Sequence, residues 1–266
     1  MKKISVSFLL IMLALSVSAH KRWVLPSLFS VSEPQWITVD ASVSNNLFYP
    51  DRPWPLSFVS VVSPTGENVS LSNQSEGHRR STFDFEVNQK GTYKVVAANT
   101  LYFVQYKETE QGETKRMRAS SLADIKKRLP EKLFSQEVAK SDSTLESYVT
   151  LGAPNNQVFK VSNAAVQFKP VTHPNDLYQG EEGVFGFTVN DQPLVGAEVI
   201  MVWEGTRYRD DEQVIEMTTN NQGQITLPLS QTGRFYLELS HSQEVDNEEY
   251  DKAYVNYLGT FEVLPQ

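Results

Sequence analysis

Ser81-Thr82-Phe83-Asp84-Phe85-Glu86-Val87-Asn88-Gln89-Lys90-Gly91-Thr92-Tyr93-Lys94-Val95-Val96-Ala97 is the stretch that decides the fold. Phe83, Phe85 and Val87 alternate with polar residues. Gly91 interrupts the run, and Tyr93, Val95 and Ala97 then alternate again. Period-2 patterning means two strands, each with one face buried. The same arrangement returns late in the chain. Ile225, Leu227 and Leu229 alternate, Gly233 stands at the offset that Gly91 has from Val87, and Phe235, Leu237 and Leu239 follow. The pattern predicts a hairpin turned at each glycine. One such pair near the end of each half predicts an all-β protein of two Ig-like β-sandwich domains.

The rest of the chain reads outward from these pairs. Trp36 to Val43 alternates and is β-branched, so it is a strand, as is Phe58 to Val62. Tyr49-Pro50-Asp51-Arg52-Pro53-Trp54-Pro55 is irregular, because its prolines remove ladder donors. Ser72 to Arg80 reads as a polar loop carrying His78. Lys107 to Arg118 reads as a charge-rich loop. Ser121-Leu122-Ala123-Asp124 has the form of a helix start, with Leu122, Ile125 and Leu129 at helical spacing. Pro130 breaks that run, and Leu133, Phe134 and Val138 predict a second short helix. Leu145–Leu151, Val166–Val171, Gly183–Val189 and Ala197–Trp203 continue the strands. The expected organisation is an export signal at 1–19, an N-terminal β-sandwich domain at 20–106, a charged, helical connector at 107–144 and a C-terminal Ig-like domain at 145–266.

The signal assignment rests on Lys2-Lys3, the apolar run Ile4 to Val17, and the small residues Val17 and Ala19 before a cut. Cleavage after Ala19 makes His20 the first residue of the exported protein. An N-terminal His offers its α-amine and its imidazole Nδ1 to one metal ion. The amine has a reference pKa of about 7.7–8.0, so a metal displaces its proton near neutral pH. One more imidazole completes a three-nitrogen set suited to Cu(II) or Ni(II).

Composition narrows the classes. The formal net charge is −8, and loss of Lys2 and Lys3 with the signal makes the chain more acidic still. Such a chain repels phosphate backbones, so nucleic acid is not an expected partner. There is no cysteine, which excludes disulfides, thiolate metal sites and a Cys nucleophile. After residue 19 no apolar run is long enough to span a bilayer, so the exported chain is not expected to be membrane-embedded. The short signal led by Lys2-Lys3 suits a bacterial periplasm.

Four histidines are present: His20, His78, His173 and His241. Zinc-protease, nucleotide-binding and serine-hydrolase motifs are missing, so the chain is not expected to be an enzyme. His173 lies in Thr172-His173-Pro174-Asn175-Asp176. There Asp176 is placed to accept from a ring N–H, as carboxylates do beside metal-binding imidazoles. The same residues are also ordinary turn chemistry. His241 is the alternate ligand, heading an acidic loop with Glu244, Asp246, Glu248, Glu249 and Asp251. His78 stands beside Arg79 and Arg80, which disfavour a cation. The expected metal ligands are therefore His20 and His173.

Ala19-His20 with Trp23 and Leu25-Pro26, the Trp36 strand, Ser44-Asn45-Asn46-Leu47-Phe48-Tyr49, Thr172-His173-Pro174-Asn175-Asp176-Leu177, Gly180-Glu181 and Gly233-Arg234-Phe235-Tyr236-Leu237 together resemble bacterial proteins carrying the domain of unknown function numbered 4198. That resemblance covers nearly the whole exported chain. It implies a β-sandwich fold and a periplasmic component of nickel or cobalt ABC-type transport, and it adds weight to His20 and His173. Relatives are expected to carry a His near Asp51 or Arg52, and this chain has none there.

Three functional readings follow. The first is a periplasmic protein that binds and delivers copper, nickel or cobalt through the N-terminal His. The second is a non-catalytic Ig-like module that docks a membrane transporter or an outer-membrane receptor. The third is a copper-dependent oxidative enzyme, since an N-terminal His with a second imidazole can activate oxygen.

Overall fold

The computed structural model describes residues 20–160, 164–246 and 248–266. The segment read as an export signal lies outside the described residues. Strand makes up 55% of the described residues and helix 7%, so the protein is all-β. The strands are β1 (Lys21–Pro26), β2 (Ser30–Val31), β3 (Gln35–Ser44), β4 (Arg52–Pro53), β5 (Val59–Val62), β6 (Asn68–Val69), β7 (Ser72–Glu76), β8 (Ser81–Val87), β9 (Gly91–Lys107) and β10 (Lys115–Ala119). Helix α1 (Leu122–Arg128) follows. Then come β11 (Ser135–Leu151), β12 (Val166–Pro170), β13 (Glu182–Val189), β14 (Gln192–Pro193), β15 (Glu198–Trp203), β16 (Ile215–Thr218), β17 (Gln224–Pro228), β18 (Gly233–Glu244) and β19 (Lys252–Val263).

These strands form three stacked layers. The first outer sheet runs β1-β3-β8-β7, with β4 on β3. The central sheet runs β16-β15-β18-β19-β11-β9-β5-β6. The second outer sheet is built on β13, with β12, β14 and β17. Each face of the central sheet carries its own core. On β11, Leu145 and Val149 enter the first core, while Tyr148 enters the second. On β18, Tyr236 enters the first and Phe235, Leu237 and Leu239 the second. The alternation of a strand buried on both sides thus feeds two cores at once. The two sandwiches share one sheet, and β11 pairs with β9 on one side and β19 on the other.

Both glycine-centred pairs are strands, but neither is a hairpin. β8 pairs with β3 and β7, whereas β9 pairs with β5, β10 and β11. Likewise β17 pairs with β13, and β18 with β15 and β19. In each case the chain arches from an outer sheet to the central one. Phe83, Phe85 and Val87 therefore meet Tyr93, Val95 and Ala97 across the core. Gly91 has φ +120° and Gly233 has φ +115°, a region that glycine enters freely. At the first arch the backbone N–H groups of Asn88 and Gln89 donate to the Tyr93 hydroxyl, at 3.1 and 2.8 Å. This is the tyrosine-corner arrangement of Ig-like sandwiches.

The middle of the chain corrects three expectations. Ser121 caps α1, accepting from the Asp124 N–H at 3.2 Å. The second helix does not form, because Val138 is part of β11 and packs with Val104 and Ile125. Seventeen residues of β11 pair continuously with β9, so strand pairing overrides the helical spacing. The stretches read as loops at Ser72–Arg80 and Lys107–Arg118 contribute the edge strands β7 and β10.

Candidate functional site

His20 sits just ahead of β1, level with the loop that leaves β3, since Lys21 is the partner of Ser44. Its ring is exposed, and Nδ1 donates to Asn45 Oδ1 at 2.7 Å. Two loops clasp this end of β1. The buried Lys21 ammonium reaches both carboxylate oxygens of Glu212, at 2.7 and 2.8 Å. The Leu47 N–H donates to Thr206 Oγ1 at 3.2 Å. Outside that clasp, Tyr49 and Tyr208 meet edge to face at 6.1 Å, and the Arg207 guanidinium lies 5.1 Å from the Tyr49 ring centre. A hydrogen bond with the Tyr208 hydroxyl is the main cause that raises the Tyr49 pKa above its ordinary value. Tyr208 is 79% exposed, so the loops at this end of β1 present an aromatic and cationic surface.

His173 lies at the other end of β1. Asn175 Nδ2 donates to Phe29 O at 2.7 Å and to Tyr148 O at 3.0 Å, which ties the His173 turn to the chain beyond Pro26. β1 alone has six residues, a span of about 20 Å at roughly 3.3 Å per residue. The structure therefore does not bring His20 and His173 together. Both nitrogens of His173 are also engaged. The Asn175 N–H donates to Nδ1 at 3.1 Å, which makes Nε2 the protonated nitrogen, 3.0 Å from Thr92 Oγ1. The ring stands edge-on to Phe159 at 5.5 Å. Burial lowers its pKa, opposed by a backbone hydrogen bond at Asn155 and by the charge of Asp176.

The Asp176 N–H donates to the His173 carbonyl at 2.9 Å, closing a turn over His173-Pro174-Asn175-Asp176. Asp176 is exposed, and the ring nitrogen it was expected to orient takes the Asn175 N–H instead. His241 stands in β18 opposite Val255 rather than at the head of a loop. His78 lies in the turn before β8, beside Arg79, which pairs with Asp51 at 3.0 Å. Among the described residues no group of three His, Asp or Glu side chains is arranged to hold a metal ion. No helix among them is long and apolar enough to cross a membrane.

Reading the sequence missed a second feature, a groove of about 610 Å³ on the central sheet. Its floor comes from the extensions of β9, β11 and β19 beyond the first outer sheet. Its residues lie far apart in sequence, and only the pairing of those strands assembles them.

Among the solved structures to which this chain is loosely similar are two multidomain fragments. The D0-D1 domain of intimin is 14% identical with a TM-score of 0.22, over 88% of this chain and 96% of that one. The FN1-FN3 domains of chicken CNTN1 are 8% identical with a TM-score of 0.19, over 87% and 96%. At these scores neither carries an argument about the site. No curated protein matches. The family model for the domain of unknown function DUF4198 matches residues 17–243, and the chain belongs to that family.

Proposed function

We propose that this protein is an exported, periplasmic carrier that takes up Cu(II), or Ni(II) or Co(II), at the N-terminal His20. The observation that supports this is the exposed His20 ring, whose Nδ1 has a single side-chain partner in Asn45. A chain cut before His20 adds a free α-amine to the same residue, and the two nitrogens chelate one ion. Two donors at an exposed end give a site that exchanges its metal, which suits delivery more than storage. In this reading His173 is not the third donor, since it lies at the other end of β1 and both its ring nitrogens are engaged in internal hydrogen bonds. The remaining donors are water or groups supplied by the receiver.

The receiver in this reading is a membrane transporter, docked through Tyr49, Tyr208 and Arg207. Exposed aromatic and Arg side chains are the residue types that dominate binding energy at interfaces. If the metal reading fails, these side chains favour the non-catalytic docking module. The test is titration calorimetry of Cu(II) into protein beginning at His20 and into the same protein with one Met added before it. Loss of binding on extension supports the reading, and equal binding by both proteins overturns it.

A further inference from the structure

The groove on the central sheet combines an apolar floor with guanidinium groups that, among the described residues, form no ion pair. Continuing the alternation from Leu145 of the first core, the same face of β11 carries Ser143, Ser141 and Ala139. On β9 the face continues from Ala97 through Leu101 and Phe103. β1 crosses this face and ends its cover there, with Arg22 Nη1 3.3 Å from Ser143 Oγ. Beyond that point, among the described residues, no outer sheet lies over it. The opposite face is closed by α1, through Ile125 against Val104 and Val138. One side of the extended strands is therefore packed and the other is open. Phe103 is 38% and Tyr254 39% exposed on the open side.

Arg116 and Arg118 of β10 stand opposite Gln105 and Phe103, so both guanidiniums project to the open side, next to its most apolar part. Among the described residues neither they nor Arg22 forms an ion pair, whereas Glu137 in the same groove is neutralised by Lys252 at 3.0 Å. Unpaired arginines gathered at one place are conspicuous in a chain whose net charge is −8. The inner end of the groove is polar. There Asn256 Nδ2 lies 3.2 Å from Ser141 Oγ, and Glu238 accepts from the Tyr236 hydroxyl at 2.8 Å. The Glu238 carboxylate repels an anion from Arg22 and leaves the Arg116–Arg118 rim as the anion-binding end.

The geometry points to a binding site for a small amphipathic carboxylate. Its acid group lies at Arg116 and Arg118, and its apolar body lies on Leu101, Phe103, Ala139 and Tyr254. The volume falls in the range of small-molecule pockets. Arginine is the side chain whose fork matches a carboxylate.

The probe is octanoate, titrated into the full purified protein, with octanol and acetate as controls. Octanoate binds at least about tenfold more tightly than either control, a difference of ~1.4 kcal/mol. Arg116→Gln with Arg118→Gln lowers octanoate affinity by a similar factor. Thermal midpoint and circular dichroism stay unchanged, because both side chains are exposed. Phe103→Ala, a second variant on the floor, weakens octanoate without creating preference for acetate. Three results overturn the assignment: octanol binding as tightly as octanoate, acetate binding as tightly as octanoate, or a folded double arginine variant that binds like the wild type. None of them bears on the His20 site, which uses a different residue, His20, with its partner Asn45.

Discussion

Gly91 and Gly233 hold equivalent places in the two halves of the protein, with φ +120° and +115°, each where the chain leaves an outer sheet for the shared central one. Their surroundings differ. A Cβ on Gly91 would stand 2.6 Å from Asn155 Nδ2 and 2.8 Å from Pro64 Cβ, whereas one on Gly233 would meet only Glu204 Oε1, at 3.1 Å. The left-handed region costs a non-glycine residue about 1–2 kcal/mol. Gly233→Ala should show that cost alone. Gly91→Ala should exceed it, because Pro64 cannot move aside as the Glu204 side chain can. Urea denaturation of both variants checks the order, and equal losses would mean that the contacts around Gly91 relax.

Tyr93 closes the first arch by accepting two backbone N–H groups with one hydroxyl. Tyr93→Phe keeps the buried ring and removes the acceptor. Asn88 and Gln89 are exposed, so water replaces part of what is lost. The expected cost is about 1 kcal/mol, with no change in denaturant slope.

Lys94 and Glu146 face each other at 3.5 Å in the central sheet, both nearly inaccessible to solvent, and Glu146 also accepts from the Tyr148 hydroxyl. Burial, reinforced by the Glu146 charge, pushes the Tyr148 pKa well above its ordinary value. Lys94→Met should destabilise by about 3–5 kcal/mol, because it leaves a carboxylate buried without its cation. Adding Glu146→Leu to that variant should recover part of the loss, and a thermal-unfolding comparison of the single and double variants measures it.

His173 makes stability pH-dependent in a definite direction. Its folded pKa lies below the unfolded value of about 6.5, because burial disfavours the charged ring. The unfolded chain therefore binds the proton more readily. The contribution is complete above about pH 6.5 and is lost as the pH falls through the folded pKa. His173→Gln should flatten this part of the stability profile relative to wild type between pH 8 and pH 5. A profile of the same slope would assign the loss to other groups.

The two histidines should separate in metal binding as they do in space. His173→Ala should leave Cu(II) affinity unchanged while lowering the thermal midpoint, because Thr92 loses one of its partners and the Asn175 N–H loses its acceptor. His20→Ala should do the reverse, since its exposed ring makes one surface hydrogen bond. Calorimetry and thermal melts on the same two samples decide it.

Local chemistry written into consecutive residues was legible. The alternation around Gly91 and Gly233 determined strands with a buried face, because side-chain direction in a strand has period two. Ser121 and Asp124 determined where α1 begins, because a cap is a bond between near neighbours. His173-Pro174-Asn175-Asp176 was legible as a turn for the same reason. What alternation cannot carry is the identity of the partner strand. Phe83 and Tyr93 fill one core from facing sheets, and a hairpin would have shown the same pattern. Nor could helical spacing at Leu133, Phe134 and Val138 compete with the long pairing of β11 against β9. The separation of His20 from His173, and the meeting of Arg118, Phe103 and Tyr254 in one groove, were decided by tertiary structure alone. Both depend on how β1 crosses the central sheet and on how far β9, β11 and β19 extend past it. Those are contacts between residues distant in the chain, and they form only when the layers pack.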